Sequence, residues 1–389
     1  MLKATKIRLY PTSQQESLLS IQFGAVRWIF NHSLNWRSEA YKQDQTSISK
    51  RQMLENIVVL KKQSDTEWLK QADSQALQQS VMNLDLAFQR FFKNQGRYPR
   101  FKSKHGKQSF SYPQRVKITN ENMLYLPKVG NVKAVFHRPI KGTIKTVTIS
   151  KSSSGKYFAS ILTEDGAQIP KPSQNIKDTN ITGVDFGIST LATFDTGRKE
   201  ANPRYLKKAA QNLRQKQKAL SRKKKGSANR SKARVLVAKA HEKTANTRND
   251  FQHKLSKQLI DENQAIVVET LKVKNMLKNR KLAKHIADVS WGELVRKLEY
   301  KAKWSGKHLV KIDQWYASSK TCHVCKHKIK NMPLSTRVWI CENCGTEHDR
   351  DINAAINIKQ QGILKLKAEG LSVSACGGSR KSGVMPVVA

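Results

Sequence analysis

The chain has 389 residues, and 72 Lys and Arg against 29 Asp and Glu leave a formal charge of +43. Compaction of so much like charge is unfavourable without a polyanionic partner, and nucleic acid is the first candidate. Hydrophobic residues at 38%, with seven Trp and 12 Phe, exclude a disordered basic tail, and no apolar run approaches the ~18–20 residues of a membrane-spanning helix.

At roughly 150 residues per domain the length allows two or three domains. No hydrophobic signal segment follows Met1, so a cytoplasmic protein with no membrane partner is expected. Residues 3–10 alternate polar and apolar side chains and read as a strand before Pro11. A helix then begins with Ser13 as N-cap and Glu16 three residues on. Leu19, Phe23, Val26, Ile29 and Phe30, and later Leu77, Val81, Leu84, Phe88 and Phe91, form apolar stripes at helical spacing. Residues 11–97 are therefore a helical module, and its stripes are most simply a helix-bundle core.

From Tyr98-Pro99-Arg100-Phe101-Lys102 onward the pattern is that of strands, at 109–112, 124–126, 132–136, 143–149 and 157–162. Short strands between Gly, Pro, Asn and Ser turns predict a small antiparallel barrel. The strand at 3–10 is a candidate member, which would make the helical module an insertion in the barrel. Residues 168–180, with Pro170, Pro172 and Ser173, read as a linker.

A third region alternates strands and helices. Residues 181–189 and 191–194 predict a hairpin, and 203–258 two antiparallel helices broken at Gly226-Ser227-Ala228-Asn229. Ala265-Ile266-Val267-Val268 is a short strand of the buried parallel type. Helices are expected at 291–304 and 351–360 and a strand at 309–312. Residues 372–389, which include a lone Cys376, read as a disordered tail.

Four of the five cysteines form two pairs, Cys322 with Cys325 and Cys341 with Cys344, each with two residues between its members. Each pair can sit in a tight turn that aims two sulfurs at one ion, the pattern of a tetrahedral zinc site. With all four positions Cys no coordination site stays open, so this zinc is expected to be structural. His348 lies nearby, but the sulfurs already satisfy the metal.

Three acids stand at unusual places. Asp185 interrupts an apolar strand, Glu269 ends the buried one, and Asp351 begins a helix just after the cysteines. Singly they could be a turn residue, an exposed strand-end charge and a helix N-cap. Together they could hold two Mg²⁺ ions for phosphoryl transfer, because hard cations take oxygen ligands. The basic run from Arg204 to Lys243, with Arg222-Lys223-Lys224-Lys225, predicts phosphate contact rather than a merely solvated face. Arg100 and Lys102 are further nucleic-acid candidates at the module junction, beside a Phe101 for which a structural role is as good a reading. His253 is read as a packing or phosphate-contact residue and not as a metal ligand.

Several blocks together carry a family resemblance: Arg8-Leu9-Tyr10-Pro11, Pro99-Arg100-Phe101-Lys102-Ser103-Lys104, Gly183-Val184-Asp185-Phe186-Gly187-Ile188 and Val268-Glu269-Thr270-Leu271. Ser318-Ser319-Lys320-Thr321-Cys322, Cys341 to Cys344 and His348-Asp349-Arg350-Asp351-Ile352-Asn353-Ala354-Ala355 complete them. Over essentially the whole chain they resemble the TnpB (OrfB) proteins of bacterial insertion sequences, relatives of the type V CRISPR effectors. The resemblance implies a multidomain α+β and α/β fold, with a β-barrel wedge domain split between 1–10 and 98–167 and a helical recognition domain at 11–97. After the linker it implies a RuvC-like nuclease domain of RNase H fold at 181–317 and 349–371, interrupted by a zinc ribbon at 318–348.

The same resemblance implies Asp185, Glu269 and Asp351 as the catalytic, magnesium-binding triad, with Asp349 a neighbour. It implies a guide RNA from the transposon end and double-stranded target DNA cut beside a short transposon-adjacent motif, with no small-molecule substrate. The setting would be a prokaryotic cytoplasm, with the protein on the nucleoid when bound to DNA. Lys326 departs from the pattern, standing after Cys325 where the family usually has Gly. Two alternatives are an RNA-guided repressor that does not cut and an RNase H-like transposase that performs strand transfer.

Overall fold

The computed structural model describes residues 1–333 and 335–374. Two compact units emerge, residues 1–168 with 226–239, and 169–225 with the described part of 240–389. Among the described residues no helix is long and apolar enough to cross a membrane.

The amino-terminal unit runs β1 (Leu2–Tyr10), α1 (Ser13–Asp44), α2 (Lys50–Leu60), a 3₁₀ segment (Ser64–Gln71) and α3 (Ser74–Phe92). Six strands follow, β2 (Gln108–Tyr112), β3 (Lys117–Asn120), β4 (Met123–Leu126), β5 (Gly130–Val135), β6 (Thr143–Lys151) and β7 (Tyr157–Glu164). They form one antiparallel sheet of order β2-β6-β7-β1-β5-β4-β3, so β1 is a central strand, with Ile7 and Leu9 fully buried. β2 and β3 stand at its two ends, and β3 is exposed at every residue.

The cap of α1 also differs from expectation. Thr12 is the N-cap, its hydroxyl accepting from Gln15 N at 3.3 Å while Gln15 Oε1 accepts from Thr12 N at 3.1 Å. Thr-x-x-Gln and Ser-x-x-Glu are equivalent capping boxes one residue apart, so pattern alone does not choose between them. The stripes on α1 and α3 do not form a bundle of their own. Leu19, Phe23, Leu77 and Leu84 belong to the same buried cluster as Leu9, Phe110, Val132 and Ile149 from the sheet, and Phe23 meets Phe110 edge-on at 5.0 Å.

The carboxy-terminal unit begins with β8 (Asn175–Lys177), β9 (Ile181–Phe186), β10 (Thr190–Phe194) and β11 (Lys199–Ala201). Two helices stand in the region where a pair was expected, α4 (Tyr205–Ser221) and α5 (Ala228–Glu262), the residues of α5 up to Lys239 falling in the amino-terminal unit. Next come β12 (Ala265–Glu269), α6 (Val273–Met276), α7 (Ala283–Val289), α8 (Trp291–Ser305) and β13 (His308–Ile312). Last are β14 (Val338–Ile340), β15 (Glu347–Asp349), α9 (Arg350–Ala368) and β16 (Ser372–Ser374). The main sheet has the order β11-β10-β9-β12-β13, antiparallel from β11 to β9 and parallel from β9 to β13.

Two segments read as structureless pair with each other. Ser372–Ser374, placed in the tail, lies parallel to Asn175–Lys177, placed in the linker, and Val373 sits beside the fully buried Ile176. One apolar residue per three-residue strand is too little pattern to see in sequence. Residues 375–389, with Cys376, lie outside the described residues.

One approach distance organises this unit. A Cβ on Gly183 of β9 would touch the Ala355 carbonyl oxygen of α9 and lie 2.7 Å from Lys359 N; a Cβ on Gly362 would lie 2.5 Å from Val267 Cγ1 of β12. Glycine at both places lets α9 press its backbone onto the two central strands. Lys359 adds a polar tie, its Nζ 3.1 Å from Asp195 Oδ2, while Asp195 Oδ1 accepts from Gly183 N at 3.0 Å. Gly183→Ala should therefore destabilise this unit by about 1–3 kcal/mol in denaturant titration. Gly292→Ala, where a Cβ meets nothing within 4 Å, should be neutral or stabilising; equal effects at both sites would refute the close approach.

Candidate active site and metal centre

The parallel pairing of Val268 with Val184 sets Glu269 next to Asp185 on adjacent strands. Alternation along a strand puts Gly183 and Asp185 on one face, and Val267 and Glu269 likewise. Gly183 and Val267 meet α9, so both carboxylates occupy the α9 side of the sheet. Ala355 lies over Gly183. Two residues on along the strand, about 6.6 Å, is Asp185, and four residues back along the helix, about 6 Å, is Asp351. The structure thus brings the three acids together at one end of the sheet.

Asp351 is not the cap of α9. That role belongs to Asp349, whose Oδ1 accepts from Asp351 N and Ile352 N, each at 3.0 Å, and whose Oδ2 takes Lys199 Nζ at 2.7 Å. The Asp351 carboxylate receives Arg350 Nε and Nη2 at 3.1 and 3.0 Å, with Arg337 Nη1 at 3.7 Å. Glu269 Oε1 accepts from Phe186 N at 3.3 Å.

These contacts leave charge unbalanced at the strand ends. Burial pushes the Asp185 carboxyl well above its usual range, the Glu269 and Asp351 charges push it further, and Arg350 opposes them. Burial raises Glu269 to about 7, against the pull of the Phe186 amide. Carboxylates that resist ionisation alone are the donor type a hard divalent cation such as Mg²⁺ takes, while among the described residues the four cysteines are the group whose donor atoms already lie within 4.8 Å of one another.

The cysteines form a tighter group. All four Sγ atoms lie within 4.8 Å of one another, with Cys322 to Cys344 at 3.7 Å and Cys325 to Cys341 at 3.5 Å. A tetrahedron with Zn–S of ~2.3 Å has edges of about 3.8 Å, so the donor set fits zinc. His348 Nε2 lies 3.1 Å from Cys322 Sγ, its ring packed against His323 and Trp339.

The departure at Lys326 has a structural cost. Lys326 N donates to Cys322 O at 3.0 Å with φ of 65°, and Gly345 N donates to Cys341 O at 2.9 Å with φ of 69°. The two knuckles make the same left-handed turn, which disfavours a side chain by roughly 1–2 kcal/mol. Lys326 recovers part of this by donating from Nζ to His323 O at 2.8 Å and to Gln360 of α9.

Among the basic candidates, Arg222, Lys223, Lys224 and Lys225 are all exposed in the break between α4 and α5, and Arg100 is exposed in the amino-terminal unit. Lys102 turns inward. Its Nζ lies 3.7 Å from the Phe30 ring centroid, burial lowers its pKa to about 8, and Asn31 clamps its backbone through bonds of 2.7 and 2.9 Å. Phe101, by contrast, is 61% exposed and outside the core. His253 is exposed, with Nδ1 3.4 Å from the Tyr300 hydroxyl.

Sequence reasoning missed Asn353 and Asn357. Both are buried on α9, and their amides donate to Thr321 O at 2.9 and 2.6 Å; Asn357 also reaches Ser318 O at 2.9 Å, and Asn353 Oδ1 accepts from His323 N at 3.0 Å. They pin the first cysteine knuckle to the helix that carries Asp351. Two Asn four residues apart on the face of α9 that otherwise carries Ala354, Ala355, Ile358 and Leu366 were the available signal.

Two outcomes are expected. Because the folded pKa of Glu269 is raised, its contribution to stability is present below the ordinary carboxylate range and lost as pH rises through about 7. In magnesium-free buffer the parent should therefore lose about 1–3 kcal/mol relative to Glu269→Gln across that window, and parallel pH–stability curves would refute the raised pKa. For the knuckles, Gly345→Ala should speed zinc loss to a chromogenic chelator several-fold, whereas Lys326→Ala, already non-glycine, should change it little by backbone effects.

Comparison with known proteins gives the same outline. Family models match residues 1–46, described as a helix-turn-helix domain; 164–280, described as “Probable transposase” (OrfB, IS605); and 291–358, a Cas12f1-like TNB domain. Residues 1–46 fold here as β1 and one unbroken helix, α1. A “Putative RNA-guided DNA endonuclease” of Streptomyces pristinaespiralis is 40% identical over 379 residues, covering 96% of this chain and 91% of that protein. Another with the same description, InsQ of Escherichia coli K12, is 34% identical over 399 residues, covering 98% and 96%. A chain from the cryo-EM structure of a Cas12f1–sgRNA–target DNA complex shares the mixed α/β fold at a TM-score of 0.55 and 13% identity, covering 92% of this chain and 98% of that one. With full-length relatives at this identity, the chain belongs to the OrfB (IS605) transposase family and its TnpB-like members.

Proposed function

We propose that the protein is an RNA-guided DNA endonuclease that cuts double-stranded DNA beside a short adjacent motif, with Asp185, Glu269 and Asp351 as its cutting centre. The observation that carries this reading is the convergence of the three acids at one sheet end, under the start of α9. Support comes also from the sheet order, three antiparallel strands followed by two parallel ones, which is that of an RNase H fold and of a RuvC-like domain at 181–317 and 349–371. The description borne by the full-length relatives adds weight.

In this reading the three carboxylates hold two Mg²⁺ ions. Bound there, the metal supplies charge neutralisation at the phosphate and a more acidic water. The chain's own groups do the positioning. The Phe186 amide occupies one oxygen of Glu269 and fixes the orientation of the other. Asp349 caps α9 and so frees Asp351 from that work, while Arg350 and Arg337 neutralise Asp351 in the metal-free state. Cys322, Cys325, Cys341 and Cys344 hold a structural zinc in a ribbon at 318–348, with no position left for substrate.

The split sheet at 1–10 and 98–167 serves as a wedge domain and 11–97 as a recognition domain, joined by 168–180 to the nuclease. Arg100 and Arg222 to Lys225 meet phosphates, with Lys102 a weaker candidate because its ammonium already rests on Phe30. Sequence is read mainly by pairing of a transposon-end guide RNA with the target strand. A second reading, strand transfer, is favoured by the description of the family model over 164–280.

The test is to purify the protein with its bound RNA and supply a DNA library with Mg²⁺. Cutting at guide-matched sites is expected, and Asp185→Asn should reduce it to background while leaving guided binding intact. Guide-independent joined products would instead establish strand transfer, and guided binding without cutting would establish a repressor.

A further inference from the structure

Trp315 is 81% exposed, the highest value for any large hydrophobic side chain among the described residues. An indole left this bare loses the gain of burial and contributes nothing to the core. Its loop is nonetheless fixed. Asp313 Oδ1 accepts from Trp315 N at 2.7 Å, Ser318 N donates to Tyr316 O at 2.9 Å, and Tyr316 packs against the buried cluster of Ile312, Ile358 and Leu366. Tyr316 therefore anchors the turn, and Trp315 is held outward by it.

The turn is also well placed. It follows β13 by a few residues, and Ile312 of β13 pairs with Glu269, so the chain leaves the sheet at the end where the acids gather. Thr270 Oγ1 ties the two strand ends together by donating to Ile312 O at 2.6 Å. Two residues after Thr270, Lys272 sets its Nζ 5.8 Å from the Trp315 ring centroid. Beyond it Lys274, Lys278, Arg280, Lys281 and Lys284 are all exposed, with no acid between residues 270 and 287. A bare aromatic face beside a line of cations is the chemistry that holds a single strand, base on ring and phosphate on ammonium. A continuous duplex has no free base face to offer, so it does not match the platform.

We infer that Trp315 is a stacking platform for an unpaired base of the DNA strand led to Asp185, Glu269 and Asp351, with Lys272 and the basic residues after it on the phosphates. The destination of the strand rests on the endonuclease reading; the platform itself does not.

The experiment uses the full chain, purified with its RNA and carrying Asp185→Asn so that no cutting occurs. A short single-stranded oligodeoxynucleotide containing iodouracil is bound without magnesium and irradiated, and the crosslinked peptide is sequenced. The peptide with Trp315 is expected, with no crosslink there from the corresponding blunt duplex. Trp315→Ala should weaken binding of the single strand by about ten- to a hundredfold, and Trp315→Phe should restore most of it. Crosslinks that avoid Trp315, equal loss of duplex and single-strand binding, or a stronger Trp315-dependent hold on an RNA strand would each overturn the assignment. The crosslink is read on the Trp315-containing chain, so it does not depend on how the Trp315 variants fold. Since no readout requires cutting, a protein that fails to cut guided targets yet gives the Trp315 crosslink would sink the nuclease reading alone.

Discussion

The contact on which the carboxy-terminal unit depends is the backbone approach of α9 to β9 and β12. Side chains normally hold a helix away from a sheet, and Gly183 and Gly362 remove that spacing where α9 crosses β9 and β12. Three consequences follow from one distance. The start of α9 is carried over the ends of β9 and β12, Lys359 comes within reach of Asp195, and Asn353 and Asn357 meet the carbonyls that precede Cys322. The same contact therefore contributes to placing both the acid centre and the cysteine cluster.

The acids of this unit separate by how they are satisfied. Asp195 has two donors from β9 and a lysine, and Asp349 has two helix amides and a lysine. Their charges are compensated within the fold. Asp185 is raised by burial and by the Glu269 and Asp351 charges, against Arg350, and Glu269 is raised by burial against the pull of one amide. A protein with a formal charge of +43 does not lack cations to pair them. Burying them with so little compensation is a cost to the fold, and carboxyls perturbed in this way cluster at functional sites.

Much of this was legible from local pattern. The all-apolar run at 265–268 lies between two parallel neighbours, as its composition requires, and the cysteine spacing marked a cluster that the fold assembles. What was hidden depends on partners far apart in the chain. Nothing within residues 2–10 says that the strand is central, because its neighbours lie beyond residue 130. Nothing in Arg100-Phe101-Lys102 says that the lysine folds onto Phe30 while the phenylalanine faces water. The roles of Asp349 and Asp351, two residues apart, are divided by helix geometry: the first precedes the helix and can turn back to its amides, whereas the second points from its first turn toward the sheet.

The two metal-type sites are coupled through the same helix. The cysteine pairs lie between β13 and α9 in sequence, so an ion held by four sulfurs would close the segment joining that strand to that helix and offset its closure entropy. The first knuckle is then bonded to α9 by Asn353 and Asn357, and Lys326 adds a bond to Gln360 one turn further on. A soft-ligand site with no catalytic position of its own thus helps hold the start of α9 where Asp351 stands beside Asp185. This gives a physical reason for a left-handed lysine in the first knuckle: the strain is local to the turn, and the side chain that causes it extends the grip on the helix that completes the acid centre.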